Sequence, residues 1–251
     1  MQDTDSPLAK VPQVTLLFWV IKVAATTLGE TAGDAVSMSL DLGYLVGTAI
    51  FAAIFLGAVI FQIRTRRFHA GLYWATIVAT TTVGTTLADF ADRSLGIGYA
   101  GGSALLLILL VLSLVAWQLT LGSIAIETVN RPKVEAFYWT TIMFSQTLGT
   151  ALGDWTVDQV SSGYLGAGII FGGLLALVAL VYFVQKNFRP ALFWAAFILT
   201  RPLGAVLGDF LDKPVAAGGL NLSRFAASAV LGGIMLLCIV AFPQRAAARA
   251  H

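Results

Sequence analysis

Apolar runs of about 20 residues recur along the whole chain, separated by short polar segments. They predict eight helices, at 13–36, 43–63, 71–92, 100–120, 134–157, 163–185, 190–211 and 223–243. Runs of that length suit a bilayer core roughly 30 Å thick. They lack the ten-residue alternation of a transmembrane barrel strand. The expected fold is an all-α membrane protein with eight transmembrane helices. A short N-terminal tail (1–12) and C-terminal tail (244–251) flank two four-helix stretches, 13–127 and 128–243.

Polar positions return in a fixed register within the odd-numbered runs. Each has an aromatic-Trp pair, nine residues, Gly, three residues, Gly or Ala, then Asp. The copies are Phe18-Trp19…Gly29…Gly33-Asp34, Tyr73-Trp74…Gly84…Ala88-Asp89, Tyr138-Trp139…Gly149…Gly153-Asp154 and Phe193-Trp194…Gly204…Gly208-Asp209. The Trp-to-Asp interval is 15 residues in every copy, and successive aspartates are 55, 65 and 55 residues apart. A two-helix unit, duplicated and duplicated again, accounts for this spacing. Each unit crosses twice, so the four repeats are parallel rather than inverted. A pseudo-fourfold bundle and a pseudo-twofold pair of four-helix halves both fit.

Composition agrees with the pattern. Hydrophobic residues make up 58% of the 251 and charged residues 11%, with a mean hydropathy of +0.85; a soluble domain carries about a quarter charged residues. The single cysteine, Cys238, lies in an apolar run and reads as a small hydrophobe. The polar, partly acidic start (MQDTDSPLAK) is unlike a cleavable signal. Basic residues collect in the loops after spans two, four and six (Arg64, Arg66, Arg67, Arg131, Lys133, Lys186, Arg189) and in the tails (Lys10, Arg245, Arg249). By the positive-inside rule both termini are cytoplasmic. The opposite face is acidic, with Asp41, Asp92, Asp158 and Asp212 offset by Arg93, Lys213 and Arg224. Asp92, Asp158 and Asp212 read as solvated.

An aromatic-Trp pair at the start of each odd helix suggests an interfacial anchor. Fifteen residues of helix then place the Asp about 22 Å further on, in the outer part of the membrane or at its boundary. The positions four and seven before each Asp share its face, giving the stripes Thr27–Glu30–Asp34, Thr82–Thr85–Asp89, Thr147–Thr150–Asp154 and Pro202–Ala205–Asp209. One turn deeper stand Val23, Val78, Met143 and Ile198, so the stripes describe a polar vestibule above an apolar constriction. The alternative is that the aspartates end helices or bind waters at the outer boundary and the threonines bond between helices. Gly29/Gly33 and their counterparts are small-xxx-small pairs that let helices approach closely.

The fourth copy differs. Pro202 should kink or break its helix. Arg201 stands where the other copies have Thr26, Thr81 and Gln146, and a buried Arg needs a carboxylate or an anion. Glu30 is the extra acid at that depth and is its expected partner. Lys22, one turn past Trp19, can snorkel to the cytoplasmic interface. The chain has no Ser-His-Asp set, no His-Glu-x-x-His and no phosphate-binding Gly loop, so neither an enzyme nor a nucleic-acid binder is indicated. His69 and His251 have no ligand partners in the sequence, and no resident cofactor is implied.

The repeated Gly-x-x-x-Gly-Asp, the aromatic-Trp pairs and the following Gly-Tyr (Gly43-Tyr44, Gly98-Tyr99, Gly163-Tyr164) resemble a bacterial family of small inner-membrane proteins catalogued as uncharacterised membrane-anchored proteins. The likeness covers nearly the whole chain; Gly218-Gly219 departs from it by lacking the tyrosine. It implies a multi-pass protein of the bacterial inner membrane and carries no activity.

Three functions remain open. The first is a cation transporter, most plausibly an exporter of a divalent or multivalent metal ion. Glu30, Asp34, Asp89, Asp154 and Asp209 would bind the ion, Thr27, Thr82, Thr85, Thr147 and Thr150 would line its path, and Arg201 would balance charge. Proton exchange at one carboxylate would supply coupling. The second is a non-transporting scaffold or sensor in which the motif packs helices. The third is a small organic solute carrier with Arg201 as anion hook. The expected partners are the lipid bilayer and a small cation, and a homo-oligomer is compatible with all three.

Overall fold

The computed structural model describes residues 9–160, 162–185 and 188–247. The start of the N-terminal tail, Lys186, Arg249 and His251 lie outside the described residues. The chain is all-helical, with eight α-helices: α1 (Leu16–Asp34), α2 (Gly43–Arg64), α3 (Ala70–Asp89), α4 (Tyr99–Leu121), α5 (Pro132–Gln159), α6 (Gly163–Val184), α7 (Arg189–Asp212) and α8 (Arg224–Ala241). Five of them, α2, α4, α6, α7 and α8, are long and apolar enough to cross a membrane.

The odd helices form an inner ring in the order α1–α3–α5–α7, closing back on α1. Glycine sets how closely they meet. A Cβ built on Gly29 would lie 2.0 Å from Thr81 Oγ1 and 3.0 Å from the Thr81 carbonyl carbon. Gly84 meets Gln146, Gly149 meets Arg201 and Gly204 meets Thr26 in the same way. Each glycine therefore packs on the equivalent position of the next helix, three residues earlier in the motif. One constant offset around a closed ring requires four parallel helices in pseudo-fourfold register. The second small residue repeats the arrangement, with Gly33 on Thr85, Gly153 on Ala205 and Gly208 on Glu30. Thr81 and Thr26 hydroxyls add bonds to the backbone oxygens of Ala25 (3.3 Å) and Thr200 (3.2 Å) across two of these seams.

The even helices lie outside the ring, and each packs chiefly on the inner helix of the following unit: α2 on α3, α4 on α5, α6 on α7 and α8 on α1. Ser113 and Thr141 hydroxyls join α4 to α5 at 3.1 Å, and Ser228 and Thr31 join α8 to α1 at 2.8 Å. The outer helices expose Leu, Ile, Val and Phe along much of their length. The inner helices bury most of their threonines and acids within the bundle, with Thr140 and Asp158 of α5 as exposed exceptions.

The aromatic-Trp pairs are not interfacial anchors. Phe18, Tyr73, Trp74, Tyr138, Trp139 and Trp194 are all buried. The first aromatic of each helix packs on the Trp of the next: Phe18 on Trp74 (5.3 Å between centroids), Tyr73 on Trp139 (5.8 Å), Tyr138 on Trp194 (6.0 Å) and Phe193 on Trp19 (5.8 Å). Close approach of the inner helices turns these rings toward one another, and they close one end of the bundle. Tyr73 and Tyr138 also share a 2.7 Å hydroxyl hydrogen bond. Both terminal segments lie at this end. The Gln13 N–H donates to Arg245 O and the Ala247 N–H to Val11 O, each at 2.8 Å, in a short antiparallel pairing. Lys10 is no free tail charge: it is buried, 2.5 Å from Glu135, and donates to the Gln62 and Ile63 carbonyls.

Helix α7 runs unbroken through Pro202, contrary to the expected break. The proline ring faces Gly149 of α5, where a Cβ would stand 3.0 Å from Pro202 Cδ.

Candidate functional site

Midway along the ring, Arg201 reaches from α7 to all three other inner helices. Its two terminal nitrogens each donate to Glu30 Oε2 on α1 at 3.0 Å. One of them also donates to Thr85 Oγ1 on α3 at 2.6 Å and to Thr150 Oγ1 on α5. Arg201 is fully enclosed and Glu30 nearly so. The substitution that makes the fourth repeat deviant thus puts its charge where the four helices meet. Glu30, the substitution peculiar to the first repeat, supplies the counter-charge from the neighbouring helix. Thr85 and Thr150 occupy the Glu30 position in their own repeats and complete the cradle.

Two bases organise the aspartates at the end opposite the aromatic layer. Arg93 bridges Asp89 (2.9 Å) and Asp154 (3.0 Å). Lys213 contacts Asp34, Asp209 (2.9 Å) and, more distantly, Asp212 (3.9 Å). Arg224 pairs with Asp212 at 3.1 Å and lies 3.8 Å from Asp34. Arg93 and Lys213 each stand four residues after the motif Asp, and each binds that Asp together with the Asp of the next helix. The first and third repeats have Met38 and Asp158 at this position, so their seams carry no such bridge. The backbone is close to fourfold while its charges are twofold. At this end, among the described residues, no ion pair crosses between α1 and α3 or between α5 and α7.

Both bases follow their helices and carry raised pKa values. Burial would lower Lys213, but Asp209, Asp34 and Asp212 outweigh it. Burial would lower Arg93 as well, and Asp89 and Asp154 reverse the effect.

Sequence reasoning placed Arg93, Lys213 and Arg224 among loop charges and passed over their role as clamps. The signal was the Asp-to-base spacing of four residues, which puts both groups on one helical face. It also counted Asp92 and Asp212 as solvated, whereas both are buried: Asp92 packs against Gly102 of α4, and Asp212 lies under Arg224. Asp158 is exposed as expected.

The threonine stripes divide into two groups. Thr85 and Thr150 converge on Arg201. Thr27, Thr82 and Thr147 are buried and donate to the carbonyls four residues back in their own helices, Val23 (2.9 Å), Val78 (2.8 Å) and Met143 (3.0 Å). All three are buried between the packed inner helices, so they do not line an open vestibule in this structure. Lys22 does not snorkel. It is fully buried, with Nζ 4.1 Å from the centre of the Phe197 ring and without a hydrogen-bond acceptor. The aromatic layer stands between it and the nearer end of the bundle.

The oxygen-only donors of the acidic end suit hard cations. One ligand oxygen from each of Asp34, Asp209 and Asp212 can lie within 4.8 Å of the others, all three residues being buried. Asp34 Oδ1 accepts no hydrogen bond.

Similarity to known proteins enters at the level of the repeat. A family model described as Repeat of Unknown Function (DUF347) matches four times, at residues 17–68, 72–122, 137–188 and 192–245. Each match spans one inner helix and the outer helix that follows it. No curated protein and no solved structure matches the chain.

Proposed function

Since the chain belongs to the DUF347 repeat family, whose description names no activity, we propose from its own chemistry that it is an integral membrane cation transporter. Its cargo is a divalent or multivalent metal ion, exported across a bacterial inner membrane that all eight helices span, with both termini cytoplasmic. The observation that carries this reading is the charge balance at the acidic end. Asp34, Asp89, Asp92, Asp154, Asp209 and Asp212 are all buried there, against Arg93, Lys213 and Arg224. Buried carboxylates in excess of their bases are costly within a membrane protein unless a cation or protons complete them. Proton exchange at one of them supplies coupling.

In this reading the aromatic layer and the Arg201–Glu30 pair close the path beyond the acidic end, and transport requires them to open. Arg201 is already engaged by Glu30, Thr85 and Thr150, which weighs against its use as a hook for organic anions. The glycine contacts favour a second reading, a membrane scaffold in which the motif only packs helices. Manganese flux into proteoliposomes separates the two. Transport predicts loss of flux in Asp34→Asn and Asp154→Asn with the fold retained. Unchanged flux in both variants would remove the aspartates from any transport mechanism.

A further inference from the structure

Lys213 stands at the C-cap of α7, where the chain turns away from the helix, and its side chain remains 14% exposed at the rim of the acidic end. A four-carbon stem at that place can withdraw toward solvent without moving a helix. Its ammonium lies among Asp34, Asp209 and Asp212, the trio whose oxygens can gather within 4.8 Å. Asp34 is buried and keeps one carboxylate oxygen without a hydrogen bond, directly beside the ammonium's own contact on the other oxygen. Arg93 differs in its planar fork, which holds Asp89 and Asp154 on separate nitrogens and serves as a tie.

We propose that Lys213 is a tethered cation occupying the position of the cargo, and that a hard divalent ion binds Asp34, Asp209 and Asp212 by displacing it. The inference rests on reading the acidic end as a cation site. Charge selects the class of ion. Three carboxylates against Lys213 and Arg224 leave one negative charge uncompensated. A divalent ion in place of the ammonium leaves none, whereas a monovalent ion merely repeats the lysine. Oxygen-only donors exclude a preference for soft metals. Lys213 then acts as a built-in competitor that sets the affinity of the site and refills it once the ion has left.

The test titrates Mn2+ into the full-length, detergent-solubilised protein by calorimetry, comparing wild type, Lys213→Met and Lys213→Met/Asp34→Asn. Removing the competitor should tighten binding by about tenfold or more, and the added Asp34→Asn should abolish the gain. A folded Lys213→Met protein that binds Mn2+ no better than wild type overturns the proposal. A second measurement leaves the chain unaltered: saturating Mn2+ should accelerate acylation of the Lys213 amine severalfold, read by peptide mass spectrometry. An unchanged rate also overturns it. Tighter binding by Lys213→Met without wild-type flux would retain the site and remove transport. Asp34-dependent flux with no gain in Lys213→Met would do the reverse.

Discussion

Arg201 and Glu30, both buried, are joined across the α7–α1 seam by two 3.0 Å bonds to a single carboxylate oxygen. Removing one partner leaves the other charge stranded, which for a buried pair costs about 3–5 kcal/mol. Glu30→Gln and Arg201→Met should each destabilise the protein by about that amount in detergent unfolding experiments. The double variant should lose far less than the two losses combined, because it buries no unpaired charge. Additive losses would mean that the pair is not coupled.

Gly84 should tolerate no side chain. Its Cβ would meet the Gln146 carbonyl carbon and the Thr147 nitrogen at 3.0 Å, and backbone cannot step aside as a side-chain tip can. Overpacking of this kind costs about 1–3 kcal/mol, so Gly84→Ala should lower the melting temperature. Gly57 on α2 is the control, with nothing within 4 Å of its Cβ. Gly57→Ala should be neutral or should stabilise the helix by up to about 1 kcal/mol.

The Tyr73–Tyr138 pair predicts non-additivity of the same sign in the aromatic layer. Each hydroxyl is buried, and the other tyrosine is its partner. Tyr73→Phe strands the Tyr138 hydroxyl, at a cost of about 1–3 kcal/mol. Tyr73→Phe/Tyr138→Phe strands neither and should be close to wild type in thermal unfolding.

Of these three sites, the Arg201–Glu30 pair and the glycine packing were legible in the sequence, and the tyrosine pair was not. The eight helices and the repeat were readable because long apolar runs mark helices and duplication preserves register. The Arg201–Glu30 pairing was readable because two charges at one depth have few ways to be neutralised. The outer helices' preference for the next inner helix was not readable, since loop length fits packing on either neighbour. Trp74 and Trp139 carry the composition of an interfacial anchor, and only the glycine-set closeness of the inner helices brings them together. Lys22 was misplaced for the same reason, because a snorkelling path exists for an isolated helix but not for one inside a ring. Inner helices also fall short as apolar spans: α1, α3 and α5 present threonines, glycines and acids to one another while the outer helices take the exposed positions.

The way α8 packs on α1, as each other outer helix packs on its successor, means that the bundle has no structural first member. The pairing of Pro12 with Ala246 already brings residues near the two ends side by side. A circular permutant follows: residue 247 joined to residue 9 through a short Gly-Ser linker, with new termini at the exposed Arg66–Arg67 turn. It should insert and melt within a few degrees of the parent, and the Tyr73–Tyr138 double-variant behaviour should survive in it. A permutant that inserts but does not assemble would show that the order of synthesis, rather than the geometry of the ring, decides which helix is first.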